Sequence, residues 1–114
     1  MEAVLDPYDP AWPDAFRRVA AELRTQGNPN WIVEHIGSTS IPGMSAKPII
    51  DVAVRIADEE DLDRHLPALE TVGWRLGSGV RSHQVMVFEE DGVRTRIAHF
   101  CEASRWDEVS QRTL

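Results

Sequence analysis

The chain has 114 residues, 42% of them apolar, with 19 acidic against 12 basic side chains and a formal net charge of -7. That length points to one domain with a real core, and the acidic balance argues against general nucleic-acid binding, which needs a basic surface to displace counterions. No apolar run is long enough to cross a bilayer, the start from Met1 lacks the regions of a signal peptide, and the single Cys101 cannot close an internal disulfide, so no membrane partner and a cytoplasmic location are expected.

Asp9-Pro10 has the form of a helix cap followed by proline at the first helical position. Trp12, Phe16, Val19, Ala20 and Leu23 then recur at helical spacing through Arg24. Gly27-Asn28-Pro29-Asn30 ends that helix. Trp31–Ile36 is predicted as the first strand. Ile49–Val54 is predicted as a second strand, central in its sheet because its apolar run suits burial on both faces. Asp58 opens a second helix to Val72, with Leu62, Leu66, Leu69 and Val72 as its stripe and Pro67 expected to kink or split it. The acidic run Asp58, Glu59, Glu60, Asp61 and Asp63 reads as a solvated helix face.

Trp74–Leu76 starts a third strand before Gly77-Ser78-Gly79. Gln84–Phe88 and Val93–Cys101 flank Asp91-Gly92, a pair that favours a two-residue hairpin. Ser104-Arg105-Trp106-Asp107 resembles a capping box for a final helix. The order α-β-β-α-β-β-β-α predicts an α+β fold, a mixed sheet with helices mainly on one face and a truncated C-terminal helix. The four tryptophans sit at apolar positions and are expected in the core. So short a last helix leaves apolar surface that a second copy would cover, giving a homodimer.

The chemistry concentrates between His35 and Asp51. Gly37-Ser38 is a turn whose backbone N–H groups and hydroxyl can face an anion. Asp51 interrupts an apolar strand, where a carboxylate needs a partner or a cation. Lys47 is either a point charge for phosphate or a surface lysine. Glu34 and His35 point to opposite faces of their strand, so only one can face Asp51, and His35 is the expected one. His99 reads as ligand or base. Arg94 and Arg96 share the opposite strand phase and either bind phosphate or solvate an exposed face. Arg81 and His83 lie in a glycine-rich loop of the kind that often carries function.

Glu34-His35-Ile36-Gly37-Ser38-Thr39-Ser40-Ile41-Pro42-Gly43 and the following Met44 to Asp51 resemble the signature of the GrpB (UPF0157) family. Tyr8-Asp9-Pro10-Ala11-Trp12-Pro13 is similar to its opening, and Arg94–Phe100 resembles its histidine-bearing later segment. The family is placed in the nucleotidyltransferase superfamily. The resemblance therefore implies a nucleotidyltransferase-like α+β fold, a Gly-Ser turn at a strand end and two acids spaced Asp-x-Asp/Glu on the next strand. A third acid commonly comes from a later strand. Gly37, Ser38 and Asp51 match this pattern, but the second acid position holds Ala53.

The resemblance implies that Asp51 holds Mg²⁺, Gly37 and Ser38 hold the phosphates of a nucleotide, Lys47 or Arg96 neutralises charge, and His99 is ligand or base. Transfer of a nucleoside monophosphate to a small acceptor is one reading. A binding or protein-interaction module without turnover is the alternative, motivated by Ala53. A third is a transition-metal site built from His35, Asp51 and His99, since two imidazoles and a carboxylate leave positions open for chemistry. Glu89, Glu90 and Glu102 are the later carboxylates that could complete an acid set.

Overall fold

The computed structural model describes residues 5–77 and 84–103. Helix α1 spans Trp12–Gln26 and β1 Ile32–Ile36. A single 3-10 turn, Ser38–Ser40, precedes β2 at Ile50–Ile56. Helix α2 follows at Glu59–Thr71, then β3 at Trp74–Leu76, β4 at Gln84–Glu90 and β5 at Val93–Glu102. This is the expected order for every element within the described residues; the predicted last helix, Trp106, Arg81 and His83 lie outside them.

Helix α1 begins two residues later than expected. Asp9 Oδ1 accepts the Ala11 N–H at 2.8 Å and the Asp9 carbonyl accepts the Trp12 N–H at 3.0 Å. Asp9 thus shapes a turn ahead of the helix, and Pro13 takes the early proline position. Asp58 caps α2 as expected, accepting the Asp61 N–H at 2.9 Å. Pro67 does not split α2, which runs unbroken through it.

The sheet has the order β1-β2-β5-β4-β3, with β2 and β5 parallel and the other pairs antiparallel. Asp91 and Gly92 both take positive φ, 54° and 79°. That is the type I′ geometry whose twist suits a two-residue hairpin, and it sets Glu90 opposite Val93. The register divides the sheet into two faces. Ile50, Val52, Val54, Ile56, Trp74, Met86, Ala98 and Phe100 form one core with Val19, Leu23, Leu62 and Leu69 of the helices. Both helices therefore cover the same face. Val52, Ala53 and Val54 are fully buried, as a central strand requires. Trp12, Trp31 and Trp74 are all in this core.

The acidic run is not uniformly solvated. Asp61 is 4% exposed. Its Oδ2 accepts the indole N–H of Trp31 and the Ala57 N–H, each at 3.0 Å, and its Oδ1 accepts from Asn28 Nδ2 at 3.2 Å. His65 Nδ1 lies 3.5 Å from Oδ1. Burial pushes the Asp61 pKa up, but the hydrogen bonds from Ala57, Trp31 and Asn28, with the nearby His65, outweigh it and hold the carboxyl below its ordinary range. This carboxylate pins the start of α2 to the β1 entry loop.

Candidate functional site

The site grows from the turn between β1 and β2. Gly37 has φ 76° and ψ -172°, a region open essentially to glycine alone. The Gly37 carbonyl accepts the Ser40 N–H at 3.1 Å and the Ser40 hydroxyl at 2.5 Å. Thr39, 2% exposed, donates its hydroxyl to the Ile49 carbonyl at 3.1 Å, so the turn is tied to the residue before β2. The rest of the connector is held by Asp6 and Ala46, which exchange two backbone hydrogen bonds at 2.9 Å.

These ties bring Asp51 against the turn. A methyl group on Gly37 would come within 2.9 Å of Asp51 Oδ2 and 3.2 Å of its Cβ. The other carboxylate oxygen, Oδ1, lies 3.5 Å from His99 Nε2. Beside the pair opens a cavity of about 310 Å³ bounded by Leu5, Ser38, Ser45, Lys47, Ile49 and Asp51. Asp51 is partly accessible, at 28%, and Lys47 is exposed. Gly37, Ser38, Lys47, Asp51 and His99 therefore meet at one end of the sheet.

His35 and Arg96 do not join them. The register pairs Ile36 with Asp51 and His35 with Val52, so His35 lies on the helix-covered face. Its ring stacks on Phe16, with centroids 4.9 Å apart and planes 6° from parallel. Its Nε2 lies 2.9 Å from Thr39 Oγ1. The Thr39 hydroxyl has one hydrogen and gives it to Ile49, so Nε2 is the donor and carries a proton. That nitrogen has no lone pair for a metal. The His35-Asp51-His99 trio is corrected accordingly: among the described residues no group of three or more His, Cys, Asp or Glu side chains is placed to hold a metal.

Arg96 also turns to the helix face, 3.1 Å from Glu22 Oε1 and over the Phe88 ring at 4.2 Å. Arg94 and Arg96 do not share a phase. A bulge at Phe88/Glu89 pairs Phe88 with Arg96 but Glu89 with Arg94, so the alternation slips by one residue. The later carboxylates are engaged elsewhere. Glu89 accepts from Arg75 at 2.8 Å and Glu90 from the Thr95 hydroxyl at 2.7 Å. Glu102 pairs with Ile56, five rungs along β5 from the Ile97 partner of Asp51; that is about 17 Å. Ala53, at the second acid position, is fully buried.

Thr39 was missed in the sequence because a threonine in a turn gives no sign of long-range bonding. His35 supplies a test of the corner's stability. Burial lowers its pKa below 6.5 and the Asp51 charge offsets this only in part. The unfolded chain then takes up the proton first as pH falls below 6.5, so the His35 contribution is complete above that pH and is lost below it. His35→Gln, whose amide can still donate to Thr39, should flatten the loss of melting temperature between about pH 6.5 and 5. An unchanged pH slope would refute this assignment.

A mixed sheet with helices on one face, a Gly-Ser corner and a strand-borne aspartate beside it define a nucleotidyltransferase-like fold. The chain matches the sequence profile of the GrpB protein family over residues 2–114, and it belongs to that family. A UPF0157 protein of Halalkalibacterium halodurans is 49% identical over 70 residues, covering 60% of this chain and 36% of the relative. The crystal structure of conserved protein GrpB from Enterococcus faecalis superposes with a TM-score of 0.83 at 30% identity, covering 93% of this chain and 66% of that one. Cid1 poly(U) polymerase, in an H336N mutant bound to MgATP, shares the fold with a TM-score of 0.62 at 10% identity, over 96% of this chain and 36% of that one. The chain thus spans between about a third and a half of the length of its first curated relatives. No described helix is long and apolar enough to cross a membrane.

The Cid1 mutant is bound to MgATP. Asp51 is a partly accessible carboxylate beside a cavity that Ser38, Ser45 and Lys47 line, and a Mg²⁺ ion takes one or two such carboxylates and completes its shell with water and phosphate oxygens. Two cations need more carboxylates than Asp51 alone provides.

Proposed function

We propose that this chain binds the phosphates of a nucleotide, with one Mg²⁺, at the Gly37-Ser38 corner beside Asp51. The observation that carries this reading is the approach of Asp51 Oδ2 to Gly37, at the mouth of the cavity that Ser38 and Lys47 line. Bound Mg²⁺ would neutralise phosphate charge. The protein's own groups divide the remaining work. Gly37 clears the space for Asp51, the Ser38 hydroxyl offers a donor, and Lys47 contributes a positive charge at the rim. Asp51 is the cation ligand, and His99, whose Nε2 lies 3.5 Å from Asp51 Oδ1, serves as ligand or base. With an acceptor present the same arrangement serves transfer of a nucleoside monophosphate. Location in a reducing cytoplasm fits Cys101, a buried free thiol whose pKa burial pushes up to about 11.

The alternative, nucleotide binding without turnover, is favoured by Ala53 and by the lack of a third acid near Asp51 among the described residues. Melting curves with ATP, CTP, GTP and UTP, with and without Mg²⁺, separate the outcomes. At nucleotide about 100-fold above Kd the stabilisation should be about 2.7 kcal/mol. It should require Mg²⁺ and vanish in Asp51→Asn. Stabilisation with no pyrophosphate release selects the binding module. No stabilisation by any of the four would refute nucleotide binding.

A further inference from the structure

We propose that Glu34, reaching across from β1, supplies the second carboxylate that β2 lacks, so that Glu34 and Asp51 share one divalent cation. This rests on the nucleotide-binding reading of the same corner and goes beyond it by placing an acid that the chain pattern omits. The register carries it. Glu34 stands directly opposite Ala53, and Ala53 stands beside His99 on the next strand. Glu34, Ala53 and His99 therefore form one row across three strands. Ile36, Asp51 and Ile97 form the adjacent row on the same face. A side chain directly across an antiparallel pair has its Cβ about 5 Å away, and the diagonal neighbour is about 7 Å away. Glu34 is thus set over the vacant second acid position and one diagonal step from Asp51.

The small Ala53 side chain is part of the device. Ala53 is fully buried and ends at a methyl, so β2 itself places no longer side chain in the row between Glu34 and His99. Glu34 is exposed, and among the described residues its carboxylate makes no hydrogen bond or ion pair that would have to break. As placed, the donors are not gathered into a three-ligand group. Rotation about the Glu34 side-chain torsions brings a second oxygen toward Asp51 when a cation arrives, which is how an exposed glutamate serves a hard ion that keeps several of its waters. Two carboxylates also place more negative charge at the corner, which a cation relieves before an anionic phosphate enters.

The test titrates Mn²⁺ alone into the protein, reading free Mn²⁺ by electron paramagnetic resonance. Glu34→Gln should weaken Mn²⁺ binding about tenfold or more, as Asp51→Asn does. The metal-free melting temperature of Glu34→Gln should not move, because the side chain is exposed. In Glu34→Gln/Ala53→Asp the relocated acid should recover Mn²⁺ affinity. Wild-type affinity in Glu34→Gln, with loss in Asp51→Asn, would overturn the role of Glu34 and leave the corner's cation reading standing. Absence of Mn²⁺ binding by the unsubstituted protein, with or without ATP, would overturn both.

Discussion

Asp61→Ala is expected to destabilise the fold by about 3 kcal/mol, the largest single-residue loss outside the apolar core. The carboxylate accepts from three donors, and they do not suffer equally when it goes. Ala57 is exposed and Asn28 half-buried, so both can turn to water. Trp31 cannot. Its indole is 3% exposed and packs edge-on against Phe100 and His65, so the Nε1–H is left with no acceptor. An orphaned buried donor costs about 1–3 kcal/mol, and the vacated volume beside it adds to that.

For a chain of this size the melting temperature should fall by about 10–15 °C. Asp61→Asn, which keeps one acceptor oxygen, should lose less. Asp63→Ala, two residues away and exposed, should lose almost nothing. Trp31→Phe removes the donor itself, so the double variant should show coupling of about 1 kcal/mol or more. The lowered Asp61 pKa fixes the sign with acid. Its contribution is present above the ordinary carboxyl value of 3.8 and is lost as pH falls through the folded-state pKa. An Asp61→Ala variant that melts with Asp63→Ala would refute this account.

The chain pattern made much of this molecule legible, for local physical reasons. Asp91-Gly92 requires two positive φ values and obtains them in a type I′ hairpin. The apolar run from Ile50 to Val54 permits little else than an interior strand. The Gly37-Ser38 corner and Asp51 were visible because a glycine and a buried-strand carboxylate each demand an explanation. What escaped depended on pairing partners far away in sequence. Alternation says that Glu34 and His35 face opposite ways, but only the pairing of Ile36 with Asp51 says which one shares the aspartate's face. The bulge that separates Arg94 from Arg96 leaves no mark in a strand of alternating residues. Asp61 hid within a run of acids because its main partner, Trp31, lies 30 positions earlier.

Gly37→Ala is expected to abolish ligand binding at the corner while leaving a folded protein. The substitution meets two separate obstacles. A φ of 76° with ψ near 180° is strained for any residue with a Cβ, by about 1–3 kcal/mol. The new methyl would also stand 2.9 Å from Asp51 Oδ2 and 3.2 Å from its Cβ, closer than carbon packs against either atom. Asp51 sits on an interior strand held on both sides, so its backbone cannot retreat. The carboxylate must rotate away or the turn must open, and either movement separates the anion corner from the cation ligand.

Gly43→Ala distinguishes site damage from backbone strain. Gly43 also has positive φ, at 82°, but a Cβ there meets nothing within 4 Å. Both variants should lose stability, whereas only Gly37→Ala should lose the Mg²⁺-dependent thermal shift with nucleotide. If the two retain that shift equally, the closeness of Gly37 to Asp51 has no part in binding. A loss confined to Gly37→Ala ties binding to the space that its missing side chain leaves for the carboxylate.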